Sequence, residues 1–205
     1  MANAYNFPPA VDGTGQTIAI IELGGGFKQS DLHTYFASLG IASPHVSAVG
    51  AGGNQQPGRR SQRGRRSDAG HVVAGAVAHG AKIVVYFAPN TDQGFHDAIA
   101  RAVHDKLHKP SVISISWGAP EVEWTAQAMK VMDAALQDAA AVGVTVTVAA
   151  GDDGSTDGVN DGRDHADFPC SSPFALACGG TRLELTAHGG TARVNRGCRL
   201  TWSRS

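Results

Sequence analysis

The stretch Thr17–Gly26 reads TIAIIELGGG, and the fold can be worked outward from it. Thr17–Leu23 is a short, β-branched, almost continuously apolar run, and Gly24, Gly25 and Gly26 close it in a turn. A half-buried strand alternates polar and apolar residues; a run this uniform is buried on both faces. Lys82–Ala88 (KIVVYFA), Ser111–Trp117 (SVISISW) and Val144–Ala150 (VTVTVAA) read as further buried strands, and Phe174–Cys178 as a short one. Helical spacing falls between them. It covers Asp31–Leu39 (with Ser30 as N-cap and Gly40 as stop), Val72–Ala78, Gly94–Leu107 and about Thr125 to Val142. Strands separated by such helices predict a doubly wound α/β domain, a parallel sheet with helices on both faces. Sites in these sheets lie beyond the carboxyl ends of the strands. Here those ends are Glu22–Gly26, Ala88–Asp92, Ser116–Gly118 and Gly151–Asp153.

The 205 residues suit one domain, and 42% hydrophobic with 17% charged residues describes a chain able to bury a core. Wholesale disorder is excluded by that balance. No window approaches 18 consecutive apolar residues, so no membrane-spanning helix is expected. Met1–Pro9 lacks a basic start followed by an apolar run, so no signal peptide is expected either. Cys170, Cys178 and Cys198 are too few for a disulfide scaffold and are read as small buried residues, not metal ligands.

A net charge of −1 conceals a lopsided distribution. Arg59, Arg60, Arg63, Arg65 and Arg66 form one cluster, and Arg193, Arg196, Arg199 and Arg204 another. Neither Pro57–Arg66 nor Thr191–Ser205 contains an Asp or Glu. Without those nine arginines the chain carries 8 basic and 18 acidic residues, a formal −10. Five clustered cations can release counterions from phosphate, but no aromatic residue is interleaved for base stacking. Nucleic acid is therefore not the expected partner, and a solvated loop is the plainer reading.

The strand ends, taken together, resemble a known family. Tyr5-Asn6-Phe7-Pro8 followed by Gly15–Glu22 is similar to the start of the mature catalytic domain of the sedolisins, the serine-carboxyl peptidases. Gly80–Asp92 (GAKIVVYFAPNTD), Ser114–Pro120 (SISWGAP), Ala149–Gly158 (AAGDDGSTDG) and Asp167–Thr181 (DFPCSSPFALACGGT) agree at the same spacing. The resemblance covers most of Ala4–Leu185 and defines 1–190 as part of one peptidase domain. It implies a subtilisin-like fold, C-terminally truncated, and cleavage of peptide or protein substrates by acyl transfer. In the family a Ser nucleophile works with a Glu base and an orienting Asp. A carboxylate can still accept a proton in acid, where His would be charged. A further Asp, kept protonated, donates a hydrogen bond to the developing oxyanion. By resemblance that residue is Asp152, and Ser116, Trp117 and Gly118 line the substrate cleft, where extended backbone can pair with a peptide. Read without the family, Asp152 would cap a turn after a strand.

The departures are as informative. Counted back without gaps from Gly80-Ala81-Lys82, the family's Glu and Asp positions are Arg66 and Gly70, and neither can act as a base. The family's Gly-Thr-Ser nucleophile segment, its calcium site and its pro-segment are expected to lie outside this chain, so no cofactor is expected. An inactive chain follows, with a non-catalytic peptide-binding remnant as the alternative. His71 and Asp68 are the nearby groups from which residual activity would have to come. The Arg-rich segments 57–72 and 191–205 have the composition of out-of-frame translation. With one permitted codon set (CGA AGT GAT GCT GGA CAT), a one-nucleotide shift across Arg66–His71 reads Glu-Val-Met-Leu-Asp, the family's spacing.

Asp153, Ser155, Asp157, Gly158 and Asp164 fall at positions of an EF-hand-like loop, but the wrong residue types and a preceding strand favour an Asp/Gly-rich surface loop. Trp117 and Trp124 are expected to pack. Association between copies through exposed core is expected. Localisation is open: the family is commonly secreted or lysosomal.

Overall fold

In the computed structural model, which describes residues 5–8, 10–51, 67–185 and 191–196, strand β1 (Thr17–Glu22) occupies the middle of a parallel sheet. It is followed by α1 (Gln29–Ser38), β2 (Val46–Gly50), α2 (Ser67–Val77), β3 (Lys82–Phe87), α3 (Asp92–Val103) and β4 (Val112–Ile115). Then come β5 (Ala119–Pro120), α4 (Ala126–Ala141), β6 (Thr145–Ala149), β7 (Asp167–Phe168), β8 (Leu176–Cys178), β9 (Thr181–Leu185) and β10 (Thr191–Arg196). The strand order is β2-β3-β1-β4-β6-β8, and every pairing in this sheet is parallel. β5 and β7 form a short antiparallel pair, and β9 with β10 another.

The period of two along each strand divides the core between the faces. Ile20, Ile83, Val85 and Phe87 pack with Leu32 and Phe36 of α1 and Val72, Ala74 and Ala76 of α2. Ala19, Ile21, Val84, Tyr86, Ile113 and Val146 pack on the other face with α3 (Phe95, Ile99) and α4 (Met132, Leu136). Burying each such side chain stabilises the fold by about 1.5–3 kcal/mol, which is why uniformly apolar runs become central strands.

Several boundaries differ from the sequence expectation, each for a local reason. Ser30 is not the N-cap of α1: that place is taken by Lys28 in extended backbone, and the Ser30 hydroxyl donates to Asp31 Oδ1 at 3.3 Å inside the helix. The loop expected over 57–72 gives way to α2 at Ser67, five residues before the expected helix start at Val72; Ser-Asp-Ala is itself a helix-start sequence. Helix α3 begins at Asp92, two residues before Gly94, because the Thr91 hydroxyl accepts from Gly94 N at 3.0 Å. It ends at Val103 and not Leu107 because Asp105 Oδ1 takes the Leu107 and His108 amides at 2.8 and 3.0 Å and turns the chain. Cys170 is buried as expected, but Cys178 is exposed on β8 at the rim of the sheet. Cys198 and the arginines at 59, 60, 63, 65, 66, 199 and 204 lie outside the described residues. No described helix is long and apolar enough to cross a membrane.

Candidate substrate cleft

The carboxyl ends of β1, β3, β4 and β6 emerge side by side because the register is parallel across all four. The β3 end is tied to the β1 end by Ala88 N donating to Glu22 O at 3.0 Å. Between these ends and the start of α3 lies a hollow of about 270 Å³ lined by Leu23, Asn90, Thr91, Phe95, Trp117 and Gly118, among others. Trp117 and Trp124 are half-buried and pack against the core as expected. Trp124 meets Phe168 edge-on at 5.1 Å and Phe95 at 6.4 Å, which fixes the wall of the hollow.

Ser116 and Gly118 are exposed and Trp117 is half-buried between them. The segment follows β4 directly and leaves Ser116–Gly118 as open backbone at the rim. Gly118 is glycine for a steric reason: a Cβ there would collide with Asp167 Oδ1. Asp152 follows Gly151 at the end of β6, on the strand next to β4, and is exposed. The structure therefore brings Asp152 and Ser116–Gly118 to one end of two neighbouring strands.

Gly70 lies in the first turns of α2, on the side that packs against β1; a Cβ there would sit 3.4 Å from Ile20 Cγ2, an ordinary contact. A side chain at position 70 is sterically admissible, so glycine is not required there. Arg66 lies outside the described residues, as do the side chains of Asp68 and His71.

Three carboxylates at this end of the sheet were not picked out from sequence as buried groups. Glu22, at the end of β1, is 4% exposed. Asp157 is 9% exposed, with its backbone in the left-handed region at φ +48°. Asp167, on β7, is half-buried, and burial followed by the charge of Asp157 pushes its carboxyl up to about 7. Burial first, then Asp153 and Glu123, pushes Asp157 up as well, with His165 acting the other way. The Asp153–Asp164 loop is folded by His165 N donating to Ser155 O at 2.8 Å and by the His165 ring against Asp161 at 2.9 Å. Among the described residues no three His, Cys, Asp or Glu side chains converge to hold a metal.

Comparison with known proteins agrees with this geometry. The Subtilase family (Peptidase_S8) model matches residues 42–202. The chain belongs to the subtilase family. Among subtilase relatives it is similar to kumamolisin of Bacillus sp. (strain MN-32), with 56% identity over 91% of this chain and 34% of that protein. It is 28% identical to sedolisin of Pseudomonas sp. (strain 101) over 90% of this chain and 33% of that one. The solved structure of Pseudomonas sedolisin complexed with two molecules of pseudo-iodotyrostatin superposes with a TM-score of 0.80 at 26% identity, over 93% of this chain and 55% of that one. The chain thus spans about a third of the length of the curated relatives it matches. The sedolisin resemblance and the subtilisin-like α/β fold stand on these matches.

Proposed function

We propose that this chain carries the peptide-binding rim of a sedolisin-type cleft and does not hydrolyse peptide bonds. The observation that supports this is at positions 66 and 70, where Arg66 and Gly70 stand in place of the family's Glu and Asp. Gly70 faces β1 with room for a side chain and offers none. Acyl transfer needs a base to take the nucleophile's proton. An oxyanion donor at Asp152 stabilises a charge that such a site never develops. What remains serviceable is recognition: open backbone at Ser116–Gly118 to pair with an extended peptide, and the hollow beside Trp117 to take a side chain.

Two measurements test the reading. Incubation of the purified chain with casein between pH 3 and 7 is expected to give no fragments; cleavage that Asp152→Ala abolishes would overturn it. Titration with extended peptides, followed by tryptophan fluorescence, is expected to saturate, with Trp117→Ala weakening affinity about tenfold (roughly 1.4 kcal/mol). We further propose that 57–72 and 191–205 are read out of frame. Re-sequenced coding DNA should place Glu and Asp at 66 and 70 in the shifted frame, and other codons across Arg66–His71 remove that origin.

A further inference from the structure

The loop that leaves β6 rejoins the structure at β7, and Asp157 of that loop and Asp167 of β7 both come close to Gly151. A Cβ added at Gly151 would lie 2.7 Å from Asp157 Oδ1 and 3.7 Å from Asp167 Cβ, while one at Gly118 would strike Asp167 Oδ1. The two acids therefore sit between the end of β6 and the rim segment after β4. Asp157 Oδ2 and Asp167 Oδ1 are both buried and meet no hydrogen-bond donor among the described residues. A buried acceptor without a donor is expensive, and more so when it is ionised.

The surroundings add to the expense. Asp153 from the same loop and Glu123 from the turn before α4 press like charge on Asp157. His165 acts the other way on Asp157, and its ring is already engaged by Asp161. Ser116–Ala119 brings no charged side chain. Pro120 pairs with Asp167 across β5 and β7, and Glu121, next along, accepts from the Ser171 hydroxyl at 2.5 Å.

From this packing we propose that Asp157 and Asp167 form an acid latch. While the pair keeps a proton, the loop that carries Asp157 stays seated against Asp167 of β7, which itself lies beside Gly118 at the rim of the cleft; when both carboxyls ionise, that loop lifts away. A proton on either carboxyl turns one orphaned acceptor into a donor and removes the like-charge repulsion, so the two titrate as one system. Asp167 is pushed up to about 7 and Asp157 upward as well, so the latch is closed in acid. The latch concerns the chain's own loop and holds whatever the cleft binds, so failure of peptide binding leaves it standing.

The test is amide hydrogen exchange across 151–166 at pH 5 and pH 8, corrected for the intrinsic pH dependence of exchange, with the protonated-carboxyl stretch followed by infrared spectroscopy. The loop should open about tenfold more often at pH 8, the equivalent of one unit of proton affinity. The protonated band should persist at pH 6. Asp167→Asn, which cannot ionise, should abolish both the band and the pH dependence of exchange. Asp157→Asn serves if that variant fails to fold, and should move the midpoint to lower pH by removing the neighbouring charge. Equal exchange at the two pH values, no protonated carboxyl at pH 6, or unchanged behaviour in the substituted chain overturns the proposal.

Discussion

Asp105 shows how much one side chain organises. It is 6% exposed and accepts from the Tyr86 hydroxyl at 2.9 Å, from the Leu107 and His108 amides, and faces the His108 ring at 2.8 Å. Burial alone would push its carboxyl up; hydrogen bonds from the His108 ring and amide, Tyr86 and Leu107 outweigh it and hold the group well below the ordinary range. Burial, then the Asp105 partner, drives the Tyr86 hydroxyl up, so it stays a donor. Asp105→Ala should destabilise the fold by about 3 kcal/mol, since it orphans several buried donors. A depressed carboxyl stabilises above its unfolded value near 4 and loses that contribution only as pH falls through the lower folded value. The deficit of the variant, read from denaturant midpoints, should therefore be flat from about pH 7 to 4. Legibility at this scale was uneven. Asp152 stands in a local block, AAGDDG, that the eye can match, whereas Asp157 and Asp167 are joined only by a loop closing through His165 and by the β5–β7 pairing. No periodicity or spacing in the sequence signals a meeting made by tertiary structure.

Elements were far easier to foresee than their ends. The apolar runs at Thr17, Lys82, Ser111 and Val144 became β1, β3, β4 and β6 because a doubly covered sheet demands uniform hydrophobicity. β2 is not among the strands the sequence predicts: Val46–Gly50 (VSAVG) lies at the edge, where only Val46 is buried, and so lacks the signature of a central strand. Helix ends followed caps, and caps are worth testing. Thr91→Ala removes the acceptor for Gly94 N and should lower stability by about 1 kcal/mol in chemical denaturation. Packing between elements has its own requirement at Gly75. A Cβ there would come within 2.7 Å of Pro44 Cγ and 2.9 Å of Phe36 Cζ, so α2 rides close over α1 by virtue of that glycine. Gly75→Val should cost about 1–3 kcal/mol through overpacking and shift the melting temperature down accordingly.

The whole molecule has an acid bias that no single element carries. Asp105 remains ionised well into acid, while Asp167, pushed up to about 7, prefers its proton in the folded state. Unfolded, Asp167 ionises near 4, so between about pH 4 and 7 the unfolded chain gives up a proton the folded chain retains, and stability falls as pH rises. Melting temperatures should be several degrees higher at pH 4.5 than at pH 7.5, and Asp167→Asn should narrow that gap. Among the described residues β8 is the last strand of the sheet and its Leu176 is 58% exposed, which predicts concentration-dependent association by sedimentation, relieved by Leu176→Lys. The placement of the Arg-rich block in the topology bears on how such a chain can persist. Residues 52–66 connect the end of β2, an edge strand, to the start of α2, whose Gly70 packs beside β1. The entropy of closing a connection depends on the logarithm of its length, and doubling it is worth only about 0.6 kcal/mol. On closure entropy alone, the fold is thus nearly indifferent to how long that connection is.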